Sequence, residues 1–186
     1  MNIFFLSYHP GRCARWHCDK HVVKMILEYT QILYTAHHVN GGTDLVGKKA
    51  PFCLSTGNRG YKKHAAKHPS VLWASEALPH YVWLANMALE LCKEYMYRYR
   101  TTESHSCQEH LEWLRWNPPP GLYQKLHWTR DPPPAMPDEF KVYDCITDCY
   151  RAYYMGPKAD RGLLKWTRRH VPHVFRVDDS SVLKTE

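Results

Sequence analysis

The stretch from residue 17 to residue 38, HCDKHVVKMILEYTQILYTAHH, decides the fold class of this chain. It contains no proline or glycine, and its apolar residues recur at the three- and four-residue spacing of an α-helix. The helix is expected to begin near Arg12 and to end at Val39, before the stop signal of Gly41 and Gly42. The N-terminal part of the chain is therefore predicted to be built around one long helix.

One face of this helix carries a row of polar side chains. At about 100° per residue, the row falls within an arc of roughly 100°. Its members, called the polar row below, are His17, His21, Lys24, Glu28, Gln31, Thr35 and His38. The other faces are mostly apolar, so the helix is expected to be buried on most sides. The row then faces either an internal cleft or solvent, and its mixture of imidazole, amine, carboxylate and amide groups favours a cleft.

The rest of the chain predicts further helices separated by long loops. A helical pattern is expected over residues 68–100, interrupted or kinked at Pro79, and further helices over residues 106–116, 144–155 and 161–170. Residues 1–7 are expected to form a short strand or an extended lead-in. The predicted fold is mostly α: a single compact helical domain over residues 1–176, with long loops and at most a short N-terminal strand, followed by a frayed tail over residues 177–186.

Composition indicates the kind of partner. A net charge of +7 and an abundance of aromatic residues, including 13 Tyr and 7 Trp, favour a polyanion, in particular DNA. An odd number of cysteines, seven, and the lack of a signal peptide favour reduced thiols in the cytoplasm, that of an infected host cell if the protein is viral. No apolar run approaches the roughly 20 residues that span a bilayer, so no membrane partner is expected. The oligomeric state stays open.

Candidate contacts to substrate lie outside the polar row as well. His68 begins the second helix, where free backbone N–H groups can bind an anion, and Glu76 and Trp73 are expected to point into the same cleft. Basic residues interleaved with aromatic ones suggest phosphate contacts. These basic candidates are Arg98, Arg151, Lys165, Arg168 and Arg169.

Two histidines of the polar row have a spacing that occurs in metal sites. His17 and His21 are four residues apart, a spacing compatible with a shared metal ion. Nothing in the sequence singles out a third protein ligand. We therefore expect neither a metal nor another cofactor, and a metal-dependent hydrolase built on these two histidines remains an alternative.

Several segments resemble a known family. They are MNIFFL at residues 1–6, ARWHCDKHVVKMILEYTQIL at 14–33, HPSVLWASEAL at 68–78 and CKEYMYRYR at 92–100. Over about the first hundred residues the chain resembles a group of uncharacterised viral and bacterial proteins that is similar to the pyrimidine-dimer DNA glycosylases; the C-terminal segments YRAYY and KADRGLLKW resemble the viral members only. The resemblance implies a compact helical fold, DNA as substrate, and an amine nucleophile that attacks the sugar C1′ with help from a carboxylate.

The resemblance and the polar row together lead to a hypothesis about chemistry. In the family the amine is the N-terminal one, exposed by loss of Met, whereas the bulky Asn2 is expected to keep Met1 in place here. Lys24 would then be the amine, activated by burial and by His17 and His21. Glu28 would orient it or stabilise positive charge on the sugar.

The sequence therefore predicts a nucleic-acid-acting enzyme, with DNA glycosylase or lyase activity on a damaged or modified base. Trp73 and Tyr81 would stack on an extruded base, and Gln31 would contact it. Besides the metal-dependent hydrolase, the alternative is a non-catalytic basic protein that binds nucleic acid, in which the polar row reads bases or packs in the interior.

Overall fold

The computed structural model describes residues 1–176, which fold into α-helices joined by loops and short helical turns. The helices are α1 (Pro10–Trp16), α2 (Asp19–Val39), α3 (Thr43–Lys49), α4 (Pro69–Ala74), α5 (Leu78–Tyr99), α6 (Gln108–Trp116) and α7 (Ile146–Tyr153). Short 3₁₀ turns lie at Pro120–Leu122, Asp138–Phe140 and His173–Phe175, and a π-type turn spans Tyr154–Lys158. The predicted mostly α class and single compact helical domain are confirmed.

The N-terminal segment adopts the second of its two predicted forms. Residues 1–7 are extended, and no strand forms anywhere in residues 1–176, where the only ladder-type pairing is an isolated bridge between Phe52 and Arg59. The tail predicted to be frayed, residues 177–186, lies outside the described residues. Within the described range, no helix has the length and apolar composition that a bilayer crossing requires.

The core forms where α5 packs against α1, α2 and α6. Most apolar side chains of α2 and α5 are buried there, such as Ile26, Leu33 and Leu84, whereas Val23 and Leu27 of α2 are exposed. Burying one such side chain stabilises a fold by about 1.5–3 kcal/mol. Helix α2 is therefore buried on most sides, as the sequence predicted.

The prediction of one continuous helix from Arg12 to Val39 is wrong. The chain breaks at His17, whose ψ of 135° is extended, so that α1 and α2 are separate helices. The imidazole Nδ1 of His17 lies 2.8 Å from the carbonyl oxygen of Cys13, the acceptor that the next helical turn would have used. Arg98, from α5, donates to the carbonyl oxygens of Arg15 and His17 at the end of α1. A distant side chain thus satisfies the end of α1, which local pattern could not show.

Three other boundaries also differ from the predictions. Residues 75–77 separate α4 from α5, and Pro79 lies in the first turn of α5, where its missing N–H costs no helical hydrogen bond. The short helix α3 occupies part of the predicted loop, held by its buried residue Val46. Residues 161–170 form turns rather than a helix, with positive φ at Gly162 and Arg168.

Candidate active site

Beyond His21 the polar row becomes accessible, apart from the buried Thr35. This part of the row, called its accessible end below, begins with Lys24 and Glu28, where a carboxylate lies between two amines. Lys24 Nζ lies 3.1 Å from one carboxylate oxygen of Glu28, and the amino group of Met1 lies 3.9 Å from the other. The Glu28 side chain is 16% exposed, whereas that of Lys24 is 62% exposed. One partly buried carboxylate is therefore flanked by two amines at the protein surface.

The extended N-terminal segment brings the amino group to this position. Residues 3–6 are buried, and the backbone N–H of Phe4 donates to the hydroxyl of Tyr29, on α2, at 3.3 Å. The ring of Phe4 stacks on His21, with 4.1 Å between the ring centroids. The segment thus runs along α2 from the level of His21 to that of Glu28, and it covers part of the polar row on the way.

The charges of Met1 and Glu28 affect the pKa of His68. It caps the N-terminus of α4, and its Nδ1 accepts a hydrogen bond from the backbone N–H of Ser70 at 3.2 Å. Partial burial and the positive amino group of Met1 lower the pKa of His68, while the Glu28 carboxylate acts in the opposite direction. The predicted substrate-binding residue His68 is therefore within electrostatic range of Met1 and Glu28.

The two catalytic histidine candidates lie in the core instead. His17 is fully buried, with Nδ1 on the Cys13 carbonyl oxygen and Nε2 at 3.1 Å from the Tyr29 hydroxyl. His21 is 5% exposed and its Nδ1 lies 2.5 Å from the Tyr154 hydroxyl. Burial lowers the pKa of His17 to about 4 and that of His21 to about 2, so both are neutral near pH 7. The sequence predicted that burial, His17 and His21 together activate Lys24. The structure corrects this prediction, because both imidazoles are neutral in the core and the Lys24 side chain is mostly exposed.

The structure also disfavours a metal site at these histidines. Both ring nitrogens of His17 already have hydrogen-bond partners, which leaves no lone pair directed at a shared ion. In residues 1–176, no group of three or more His, Cys, Asp or Glu side chains is arranged to hold a metal ion.

The prediction that Trp73 and Tyr81 stack on an extruded base is also corrected. Trp73 and Tyr81 are both fully buried, because they pack between α4, α5 and the loop that follows α6. The indole N–H of Trp73 donates to the carbonyl oxygen of Arg130, and its ring stacks on His80. Glu76 pairs with Arg130 at 2.8 Å and accepts from Thr129. Trp73 and Glu76 thus hold residues 129–130 in place and do not line the cluster around Glu28.

The predicted phosphate-binding arginines have mainly intramolecular partners. Arg98 is 1% exposed and forms ion pairs with Asp19 and Glu94, each at 3.0 Å. Arg151 donates to the carbonyl oxygen of Leu6 and pairs with Asp148 at 2.8 Å. These guanidinium groups tie the N-terminal segment and α1 to the rest of the domain, and Arg98 is removed from any DNA surface.

The predicted C-terminal basic patch divides in the same way. Arg169 forms a two-point contact with Glu94, and Arg168 donates to the carbonyl oxygen of Tyr97. Lys165 is exposed. Of the three, Lys165 has the freest side chain for a phosphate contact.

A cavity of about 710 Å³ continues the line of the polar row beyond Glu28. Gln31 and His38 of α2 form one wall, and the loop over residues 53–64 forms the other. Arg59, Lys62 and Lys63 contribute positive charge to the lining. Gln31 is one helical turn beyond Glu28, so the cavity adjoins the cluster of amines and carboxylate. None of the candidate contacts predicted from the sequence lies in this loop.

One cysteine of this cavity has unusual acidity. Hydrogen bonding by Ser55, followed in effect by Thr56, lowers the pKa of Cys53 to about 7, against an ordinary value of 9.0. Tyr61, which lines the cavity beside Cys53, has its hydroxyl 3.4 Å from the sulfur of Cys107. Sequence reasoning gave Cys53 no role.

Comparison with known proteins agrees with the resemblance noted above. Searches against curated proteins and against solved structures find no significant match. The family model described as pyrimidine dimer DNA glycosylase matches residues 1–106 of the 186-residue chain, and this segment contains Met1, Lys24, Glu28, His68 and the lining of the cavity. Because the match covers more than half of the chain, the protein belongs to the pyrimidine dimer DNA glycosylase family, with the DNA-directed, glycosylase-like function that this family has in general.

Proposed function

We propose that this protein removes a damaged or modified base from DNA by amine catalysis, with Glu28 as the essential carboxylate. The observation that carries the proposal is the pair of amines, Met1 and Lys24, held at 3.9 Å and 3.1 Å from the two oxygens of this one carboxylate. Nucleophilic amine catalysis needs an amine that can lose a proton and a nearby group to accept it. The cluster offers both beside an open cavity.

The amino group of Met1 is the stronger candidate for the nucleophile. The Met1 side chain is 8% exposed and packs against the core, which fixes the amine, whereas the Lys24 side chain is 62% exposed. The proposal requires that Met1 carry a free amino group in the mature protein.

The reaction follows from these groups. The neutral amine donates its lone pair to C1′ of the target nucleotide while the bond from C1′ to the base nitrogen breaks and the base leaves with that electron pair. Glu28 accepts the proton that the attacking nitrogen releases, and its negative charge stabilises the cationic sugar in the transition state. Glu28 then returns this proton to the sugar oxygen O4′ as the C1′–O4′ bond breaks, which opens the ring and leaves a protonated imine between the amine and C1′. Hydrolysis of this imine by water, or elimination of the 3′ phosphate followed by hydrolysis, releases the DNA.

The cavity beside Gln31 supports a place for the substrate. A volume of about 710 Å³ accommodates a nucleotide removed from the stack. Gln31 supplies an amide that can pair with a base edge, and Lys62 and Lys63 supply charge for the phosphates. These contacts replace Trp73 and Tyr81 as the proposed surroundings of the target base.

Borohydride trapping tests this proposal. The protein is incubated with duplex DNA that contains an abasic site or a pyrimidine dimer, the imine is reduced, and the cross-linked peptide is identified by mass spectrometry. We expect a covalent adduct at residue 1, formed by protein whose intact mass shows a free N-terminus, and adduct formation at least 100-fold slower with Glu28→Gln, within the range of about 10²–10⁴ for a lost acid–base group.

Two lysine variants separate the amines. Lys24→Gln is compared with Lys20→Gln, which removes an exposed lysine one turn earlier on α2. An adduct on Lys24, lost in Lys24→Gln alone, would assign the nucleophile to Lys24 instead. DNA binding by the wild-type protein with no adduct on either substrate would leave the non-catalytic alternative.

A further inference from the structure

Residue 2 is held in place by the C-terminal half of the chain. The side-chain amide of Asn2 donates to the carbonyl oxygen of Ala135 at 2.8 Å, and the hydroxyl of Tyr150 donates to the Asn2 side-chain oxygen, also at 2.8 Å. Both ends of this amide are therefore fixed by residues far away in sequence.

Tyr150 connects several parts of this attachment. Its side chain is fully buried, and its hydroxyl also accepts from the backbone N–H of Ala135 and lies 3.3 Å from the carbonyl oxygen of Pro133. Burial raises the pKa of Tyr150, so the hydroxyl keeps its proton and remains a donor to Asn2. One hydroxyl thus joins α7, the loop that contains Pro133 and Ala135, and the N-terminal segment.

Neighbouring residues of the same helical region hold the next positions. Arg151 donates to the carbonyl oxygen of Leu6 at 3.1 Å, and the Tyr154 hydroxyl contacts His21 on α2. These residues lie beyond residue 106, where the family match ends. The groups around Glu28 therefore come from the matched segment, but the segment that ends at Met1 is held both by contacts within it, such as that of Phe4 with Tyr29, and by contacts from outside it at Asn2 and Leu6.

The distance from Asn2 to the reacting groups is short. Consecutive Cα atoms are about 3.8 Å apart, so fixing residue 2 confines the amino group of residue 1 to a small volume. The amino group lies 3.9 Å from Glu28, a separation that a small rotation of an unanchored residue would lengthen. Reaction rates fall steeply when such groups are misplaced by about 1 Å.

We propose that Tyr150 is a positioning residue, which acts through Asn2 to hold the amino group of Met1 beside Glu28. The inference rests on the proposed function and adds to it a contribution from the part of the chain outside the family match. It requires no contact between Tyr150 and DNA.

The test compares Tyr150→Phe with the wild type in rate and in structure. We expect the single-turnover rate of adduct formation to fall at least tenfold, while the Kd for the same DNA changes less than twofold. A loss that came only from weaker folding or weaker binding would change the Kd as well. Hydrogen exchange of the peptide covering residues 1–7 is expected to accelerate, which reports the attachment without needing any activity.

Two further variants sharpen the test. Asn2→Leu removes the same hydrogen bonds with little change of shape, and its large side chain favours retention of Met1, which intact mass verifies. It is expected to match Tyr150→Phe, and the double variant is expected to show no additional loss, because both changes break one connection. Tyr153→Phe is the control: Tyr153 is on the same helix but packs against Phe140 and Lys158, and its variant is expected to behave as the wild type.

The outcomes distinguish the inference from the function on which it rests. Adduct formation by Tyr150→Phe at the wild-type rate would overturn the inference while the proposed function stands. If the wild type forms no adduct, the proposed function fails, and hydrogen exchange alone decides about Tyr150: unchanged exchange of residues 1–7 in Tyr150→Phe overturns the role, and faster exchange supports the attachment.

Discussion

The two ends of the polar row have opposite environments, although the sequence presents them as one surface. At one end, His17 and His21 are buried, neutral and hydrogen-bonded to Tyr29 and Tyr154. At the other end, Lys24 and Glu28 form an ion pair at the surface. The difference arises because the extended N-terminal segment lies across the first part of the row and ends at Glu28.

The extended N-terminal segment has two effects: it buries the histidines of the polar row, and it brings its amino group to Glu28. Phe4 covers His21 and, through its backbone, contacts Tyr29, so the histidines become part of the core. Three residues earlier the same segment ends in an amino group beside Glu28. The residues most suggestive of catalysis by type, the histidines, thereby have a structural role, and the proposed chemistry is at the part of the row that the segment leaves accessible.

The largest expected effect is at the accessible end. Glu28→Gln removes the charge and the proton acceptor with little change of shape, so we expect adduct formation to slow at least 100-fold, within the range of about 10²–10⁴ typical of a lost acid–base group. Single-turnover trapping measures this. Glu90→Gln, which breaks another glutamate–lysine pair, between Glu90 and Lys93, should keep the wild-type rate; equal losses in both variants would contradict the role of Glu28.

The buried end predicts a pH effect on stability. The pKa of His17 is lowered to about 4, below the ordinary value of 6.5, so on acidification the unfolded chain takes up this proton first. The contribution is present above about pH 6.5 and is lost as the pH falls toward 4; between pH 7 and pH 5 it amounts to roughly 2 kcal/mol of unfolding free energy.

Urea unfolding of wild type and His17→Gln at pH 7 and pH 5 measures this contribution. The variant is expected to be less stable at pH 7 and to lose roughly 2 kcal/mol less than the wild type on going to pH 5. The same pH dependence in both proteins would mean that His17 titrates normally, and the contrast between the two ends of the row would fail.

A smaller effect is expected at the rim of the cavity next to the accessible end. Lys62→Gln should weaken DNA binding a few-fold and reduce the slope of log K against log salt by about one unit, as for one phosphate contact. Lys141→Gln is a control, because Lys141 pairs with Asp138 on a remote turn. An unchanged salt slope in Lys62→Gln would place the DNA elsewhere.

The smallest expected effect is the stability change caused by Lys24→Gln. Because the lysine side chain is mostly exposed, its pair with Glu28 should stabilise the fold by no more than about 0.5 kcal/mol. Thermal unfolding of Lys24→Gln and Lys20→Gln measures this. A loss above 1.5 kcal/mol (about a tenfold change in the folding equilibrium) would show that the pair supports the fold, and the accessible end would then resemble the buried one.

Local pattern was reliable where burial depends on the face of a single helix. The apolar faces of α2 and α5 and the helix over residues 108–116 follow from spacing alone, because apolar side chains on one face of a helix pack into the core whatever they pack against. The roles predicted for Glu28, Gln31 and His68 stay predictions, while the structure places Glu28 beside two amines and Gln31 in the wall of the cavity. Helix α3 and the irregular course of residues 161–170 were missed, since contacts with the rest of the domain decide them.

By itself, the sequence determined the helical class, the family over residues 1–106 and the row of polar groups on α2. Only the tertiary structure decided which of those groups are reachable, because the answer depends on where an extended segment lies, and an extended segment has no periodic pattern that reveals its partners. Arg98 shows the same limit: its helix is readable from sequence, but its burial against the C-terminal end of α1 and the carboxylate of Asp19 depends on contacts about 80 residues apart.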